Sequence, residues 1–188
     1  MKLKSLLAVA LVAGASSAMA SSFYIAGSVG ESDVSIDAPG ATSKDENDTA
    51  YKLNLGWQFH KNFALEAGYF DLGKGKANSA TTNYDFKADG WGLGIVGSLP
   101  LNEQWSIFGR IAAVDVDVDQ TCTGVGCPAG SSGSSSDWTG NYGLGVQWDI
   151  TKQFGLRGEF ERFDKVGGIG TTGDYDVDVW SLGVVFKF

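Results

Sequence analysis

Apolar and polar residues alternate with a period of two along most of this chain, and no stretch sustains a helical period. A period of two is the mark of strands with one apolar face. In "YKLNLGWQF", residues 51–59, Tyr51, Leu53, Leu55, Trp57 and Phe59 share one side, and Lys52, Asn54, Gly56 and Gln58 the other. In "FALEAGYF", residues 63–70, Phe63, Leu65 and Tyr69 oppose Glu66 and Gly68. In "WTGNYGLGVQWDI", Trp138, Tyr142, Leu144, Val146, Trp148 and Ile150 oppose Asn141, Gln147 and Asp149. Eight such segments are expected, at about 22–31, 49–59, 63–73, 85–99, 105–118, 138–150, 154–164 and 175–188.

The connections between them alternate in length. "HKN", "PLNEQ" and "TKQ" are short and polar, whereas 32–48, 74–84, 119–137 and 165–174 are long and rich in Gly, Ser and Asp. This predicts an all-β fold, an eight-stranded antiparallel up-and-down transmembrane β-barrel with turns facing the periplasm and loops facing outward. The first residues agree with export. Lys2 and Lys4 precede the apolar run Leu6–Ala13, and "AMA" at 18–20 has the A-x-A form of a signal-peptidase site. Residues 1–20 read as a signal peptide and 21–188 as the barrel domain. Removing two lysines and no acid takes the formal charge from −8 to −10, so nucleic acid is not an expected partner.

Periodicity alone does not say which face meets lipid. A soluble barrel buries its apolar side chains, and an outer-membrane barrel turns them outward. Export, Trp and Tyr near segment ends, and an opposite face of small and charged residues favour the membrane. Lys52, Glu66, Arg110, Arg157, Glu159 and Glu161 all fall on that opposite face. An eight-stranded interior is just wide enough to be filled by side chains, so these groups must pair. The expected arrangement is a barrel-interior charge network. The sharper alternative is a narrow ion-conducting channel in which those pairs rearrange; a wide pore is excluded.

"GYFDLG" at 68–73, "GEFERFD" at 158–164 and the closing aromatic strand resemble the small eight-stranded outer-membrane barrels typified by the membrane domain of outer-membrane protein A. The resemblance implies a structural or surface-interaction role in the envelope of a Gram-negative bacterium, with outer-membrane lipids and lipopolysaccharide as surroundings. It also implies recognition by the barrel-assembly machinery through the last strand, carried by Trp180, Leu182, Val184, Phe186 and Phe188. A surface ligand would bind through the outer loops, and the barrel is expected to be a monomer. A chain that stops at the barrel is expected to lack the cell-wall tether of the larger protein.

Architectural relatives include lipid A-modifying enzymes, the remaining alternative. Acyl transfer needs a nucleophile with a positioned base, usually a histidine. His60 falls in a turn at the periplasmic end, so no catalytic residue, cofactor or metal site is assigned. Cys122 and Cys127, in a long loop of an exported chain, are expected to form a disulfide. Asp115, Asp117 and Asp119, with Asp174, Asp176 and Asp178, form acidic ladders. They are expected to keep strand extensions soluble above the membrane, weak divalent-cation binding being the other reading.

Overall fold

A computed structural model of the protein describes residues 23–35, 47–78, 83–124, 127, 132–166 and 175–188. The expected signal peptide, Asp174 and much of the long connections lie outside the described residues. Eight strands follow one another: β1 Phe23–Ser35, β2 Asn47–His60, β3 Phe63–Asn78, β4 Asn83–Pro100, β5 Trp105–Thr123, β6 Gly133–Asp149, β7 Phe154–Val166 and β8 Tyr175–Lys187. Each pairs antiparallel with its neighbours in sequence, and β1 pairs with β8 to close the barrel. Phe188 N–H donates to the Phe23 carbonyl at 3.0 Å, fastening the last residue to the first strand. Closure leaves no unpaired strand edge in the hydrocarbon region, where an unsatisfied backbone group is costly.

The short turns are built by their own side chains. Asn102 Oδ1 accepts from the backbone N–H groups of Gln104 and Trp105, and Thr151 Oγ1 accepts from those of Gln153 and Phe154. Asn and Thr compete for backbone donors in this way, which favours turns over continued strand. Near the other end, β3 shifts register between Asp71 and Lys74. Gly73 there adopts φ +88°, a conformation glycine takes without steric cost.

The outward face of the lower and middle barrel is apolar. Leu182 and Leu144 are 73% and 71% exposed, and Leu53, Ile111 and Val184 share that face. Aromatic residues bound the band. Phe23 stacks with Trp57 and Trp105 with Trp148 toward the short turns, while Tyr69 packs on Trp91 and Phe160 on Trp180 toward the outer end. The ten steps from Trp138 to Trp148 on β6 amount to about 24 Å along the membrane normal, for a rise of about 3.4 Å per residue and a tilt of about 45°. An outer-membrane barrel's apolar band is about 25 Å tall. Leu182→Arg is therefore expected to destabilise the folded barrel by about 2–4 kcal/mol, and Asp117→Arg, outside the band, by less than about 1 kcal/mol. Urea unfolding of the refolded barrel in vesicles measures both.

The strands outrun their expected limits at the outer end. The third segment was expected to stop at 73, the fifth at 118, and the sixth to begin at 138; the strands reach Asn78 and Thr123 and start at Gly133. Ser, Gly and Asp read as loop composition, yet Asp119 pairs with Ser134 and Gln120 with Gly133 in a continuous ladder. Above the membrane a strand with a polar outer face needs no loop.

The barrel also changes polarity along its axis. On β5, Arg110 points inward, and the same parity carries Val114, Val116 and Val118 inward. Asp115, Asp117 and Asp119 take the outer face. Along β5, the middle of the barrel is apolar outside and charged inside, whereas the outer extension carries aspartates outside and valines inside.

Candidate functional site

The six charged residues predicted to face inward converge in the middle of the lumen, and none is more than 7% exposed. Strand alternation places them: β7 aims Arg157, Glu159 and Glu161 inward in succession, and β2, β3 and β5 contribute Lys52, Glu66 and Arg110. Lys52 Nζ donates to Glu159 Oε2 at 2.8 Å and also to Glu161. Arg110 crosses the lumen. Its Nη1 donates to Glu161 Oε1 at 3.1 Å, its Nη2 to Glu66, and its Nε lies 3.4 Å from Glu159 Oε1. Arg157 Nη1 donates to the other Glu66 oxygen at 2.9 Å. Glu66 thus holds two arginines at once. Three cations face three carboxylates, so the cluster is neutral, as groups withdrawn from water require.

Three partners escaped the sequence reading. Tyr24 Oη donates to Glu66 Oε1 at 2.5 Å, Gln147 Oε1 accepts from Arg157 Nη2 at 3.2 Å, and Arg157 lies over the Phe108 ring at 4.5 Å from its centroid. Inward glycines make the room: a Cβ at Gly56 would overlap the Tyr24 ring, and one at Gly145 the Phe108 ring. Phe108 shares the even parity of Arg110 on β5, so strand alternation turns its ring inward.

Apolar layers lie on both sides of the charges. Toward the periplasm, Tyr24 and Phe108 pack with Ala26, Ala64, Val96 and Val185. Toward the outside, Phe70 and Phe163 meet edge-on at 5.6 Å among Leu72, Val114, Val116 and Val179.

On the outer extension, Asp115, Asp117 and Asp119 share a face with Asp85, whereas Asp137 pairs with Val116 on the other parity. Lys87 is paired with Asp89 at 2.7 Å, a hydrogen bond that raises its pKa above the ordinary lysine value. Asp178 takes a bidentate pair from Arg162, at 2.6 and 2.5 Å. Among the described residues, no group of three or more His, Cys, Asp or Glu side chains is arranged to hold a metal ion. Cys122, next to the last residue of β5, is disulfide-bonded to Cys127 beyond the strand's end. The ring is small, so replacing both with serine is expected to cost at most about 2 kcal/mol in urea unfolding. His60 ends β2, where its Nδ1 accepts from Asn62 N–H at 3.2 Å. On β8, Trp180, Leu182 and Val184 are exposed on the apolar outer face, with Phe186 and Phe188 toward the periplasmic end.

Comparison with known proteins agrees with this geometry. Residues 18–188 match the OmpA-like transmembrane domain. Outer membrane protein A of Klebsiella pneumoniae is 28% identical over 138 residues, which cover 71% of this chain and 39% of that protein. The chain thus corresponds to well under half the length of that relative. Among solved structures, Neisserial surface protein A superposes with a TM-score of 0.69 at 14% identity, covering 88% of this chain and 97% of that one. Ail of Yersinia pestis, solved in complex with the heparin analogue sucrose octasulfate, gives 0.61 at 21% identity, with 90% and 100% covered. At these identities the two structures show the shared fold alone. The chain belongs to the OmpA-like transmembrane domain family, the eight-stranded barrels of the Gram-negative outer membrane.

Proposed function

We propose that this barrel serves the cell envelope as a structural and surface-interaction protein, and that it neither transports solutes nor catalyses a reaction. The observation that carries this reading is the pairing of a filled lumen with strands that continue past the outer aromatic girdle. β4, β5 and β6 are the longest strands, at 18, 19 and 17 residues. They hold a rigid polar surface above the membrane, on which the outer loops are mounted. Rigid scaffolds that carry exposed loops are a common site of recognition.

Charge narrows the class of ligand. A polyanion such as the heparin analogue bound by Ail would meet Asp85, Asp115, Asp117 and Asp119, with Lys87 already occupied by Asp89. Repulsion from these carboxylates favours neutral or cationic surface partners. Lipopolysaccharide and outer-membrane lipids surround the apolar band, and the closing strand Trp180–Phe188 serves the assembly machinery as its recognition signal. The conducting-channel reading is disfavoured because the inward charges are mutually paired between apolar layers. The lipid A-modifying reading is disfavoured because His60 lies at the end opposite the outer leaflet.

The test compares cells producing the intact chain with cells producing a variant in which Asp119–Ser134 is replaced by a short Asn-Gly hairpin turn. Detergent sensitivity and adherence to cationic and anionic surfaces are the readouts. Loss of adherence to the cationic surface, with envelope integrity retained, is the expected result. Unchanged adherence together with restored uptake of small solutes in a porin-deficient host would contradict the proposal.

A further inference from the structure

Closure removes the strand edges inside the membrane, but the outer extension has two margins of its own. There β3, β4, β5 and β6 run on as one antiparallel sheet, with Asn78 paired to Asn83, Asn83 to Thr123, and Gln120 to Gly133. At one margin the pairing of β3 with β2 ends at Asp71, and at the other the pairing of β6 with β7 ends at Gly140. Thr139 Oγ1 donates to the Asp164 carbonyl where β6 and β7 part. Among the described residues, Gly133–Thr139 has β5 on one side and no strand on the other.

The ladder shows which backbone groups meet that margin. Asp149 N–H donates to the Gln104 carbonyl at 2.7 Å, and hydrogen-bonded pairs alternate along an antiparallel ladder. Odd-numbered residues of β6 therefore bond to β5, whereas Ser134, Ser136 and Trp138 turn N–H and C=O toward the open side. All three are exposed. The β3 margin is finished differently. Gly73 bulges there at φ +88°, the Asp48 carboxylate accepts the Lys74 N–H, and lysines stand at 74 and 76. Bulges and lysines blunt an edge against pairing. Gly133–Trp138 has no Lys, Arg or Pro, and Asp137 is its one charge.

We propose that the β6 margin takes up an extended peptide as a further strand, and that this peptide is basic at alternate positions. Backbone pairing supplies affinity in this mode, and alternate side chains supply selectivity. Asp119 and Asp117 pair with Ser134 and Ser136, so the outward side chains of an added strand stand about 10 Å from the β5 aspartates, two strand spacings away. The short serines leave that path clear for Lys or Arg, and a carboxylate face selects them. A second copy of this chain would bring the same carboxylates to the margin and be repelled. The inference rests on the surface-interaction reading and gives the partner its form.

The test uses the full refolded chain in lipid nanodiscs and a labelled synthetic peptide of alternating lysine and threonine, with binding followed by fluorescence anisotropy. The wild type is expected to bind it, with slowed amide exchange at Ser134 and Ser136. Ser134→Pro with Ser136→Pro removes two donors from the margin while sparing the bonds to β5, because proline is tolerated where the N–H faces away from the ladder. Affinity is expected to fall about tenfold or more, since two lost hydrogen bonds at about 1 kcal/mol each exceed the 1.4 kcal/mol of a tenfold change. A peptide N-methylated at alternate residues keeps its charge and is expected to lose binding equally. Asp117→Asn with Asp119→Asn is expected to weaken binding at low salt and flatten its salt dependence. Undiminished binding of the N-methylated peptide, or by the proline variant, would overturn strand addition while leaving charge-driven surface interaction standing. Absence of peptide binding would also overturn it. So would binding that appears only once residues 167–174 are replaced by a short turn, or a wild-type dimer that the proline variant dissolves, since the margin would then belong to the chain itself or to a second copy.

Discussion

Replacing Glu66 with glutamine is expected to destabilise the folded barrel by about 3–5 kcal/mol, the cost of leaving a buried charge without its partner. Glu66 receives Arg157 at 2.9 Å, Tyr24 at 2.5 Å, and Arg110 on its second oxygen. A neutral amide at that position can still accept a hydrogen bond, but it leaves the cluster with one excess positive charge. The side chain is 3% exposed, so water does not make up the loss. Urea unfolding in lipid vesicles, followed by tryptophan emission, should show a lower midpoint with an unchanged slope. Removing the excess cation as well separates the charge effect from the packing effect. Glu66→Leu with Arg157→Leu restores neutrality and is expected to recover most of the stability, because a matched pair replaced by apolar groups of similar volume is often nearly neutral.

The second large effect is expected in the outer apolar layer. Phe163 is 0% exposed and meets Phe70 edge-on, so Phe163→Ala removes a whole ring from a packed interior. A buried Phe→Ala change costs about 3–5 kcal/mol through lost transfer energy and the cavity left behind. Phe160 is its contrast. It lies three positions earlier on β7, on the lipid face, and touches Trp180 at 4.7 Å between ring centroids. Lipid fills the space that its removal leaves, so Phe160→Ala is expected to lose only the aromatic pair, about 0.5–1.5 kcal/mol. The same unfolding measurement compares the two. Equal losses would mean that parity on β7 has been assigned to the wrong faces.

Much of this architecture was legible because a closed barrel uses one rule throughout. The alternation that put Tyr51, Leu53, Leu55 and Trp57 outward also put Lys52 inward, and with an even number of strands the short and long connections sort to opposite ends. The six inward charges were readable for the same reason: one parity assignment on each of four strands was enough. Their partners were not. Which carboxylate meets which cation depends on register and shear, and Lys52 reaches Glu159 across 107 positions in sequence.

The upper layer was missed for a different reason. "VDVDVD" on β5 has the right period, but an apolar-outward rule applied to it gives the wrong face. Continuity settles it: Arg110 faces inward, and each second residue above it must do the same until a bulge intervenes. The rule inverts because the strand leaves the hydrocarbon, so water now takes the aspartates and the lumen takes the valines. The strand extensions at Gly133–Asp137 and at Thr121–Thr123 were hidden by composition, since Ser, Gly and Thr in a paired ladder look no different in sequence from Ser, Gly and Thr in a loop.

The most direct test of this account is labelling of intact cells with a membrane-impermeant maleimide, using single cysteines placed along β5 in a background where Cys122 and Cys127 are serine. Asp117→Cys is expected to label at the surface and Val116→Cys, one residue away but inside the upper layer, to stay unlabelled in the folded barrel. Ile111→Cys, in the lipid-facing band, should also resist the reagent. Labelling of Val116→Cys with protection of Asp117→Cys, or the absence of any labelling in intact cells, would contradict a barrel that crosses the outer membrane with a sealed lumen and an acidic outer surface.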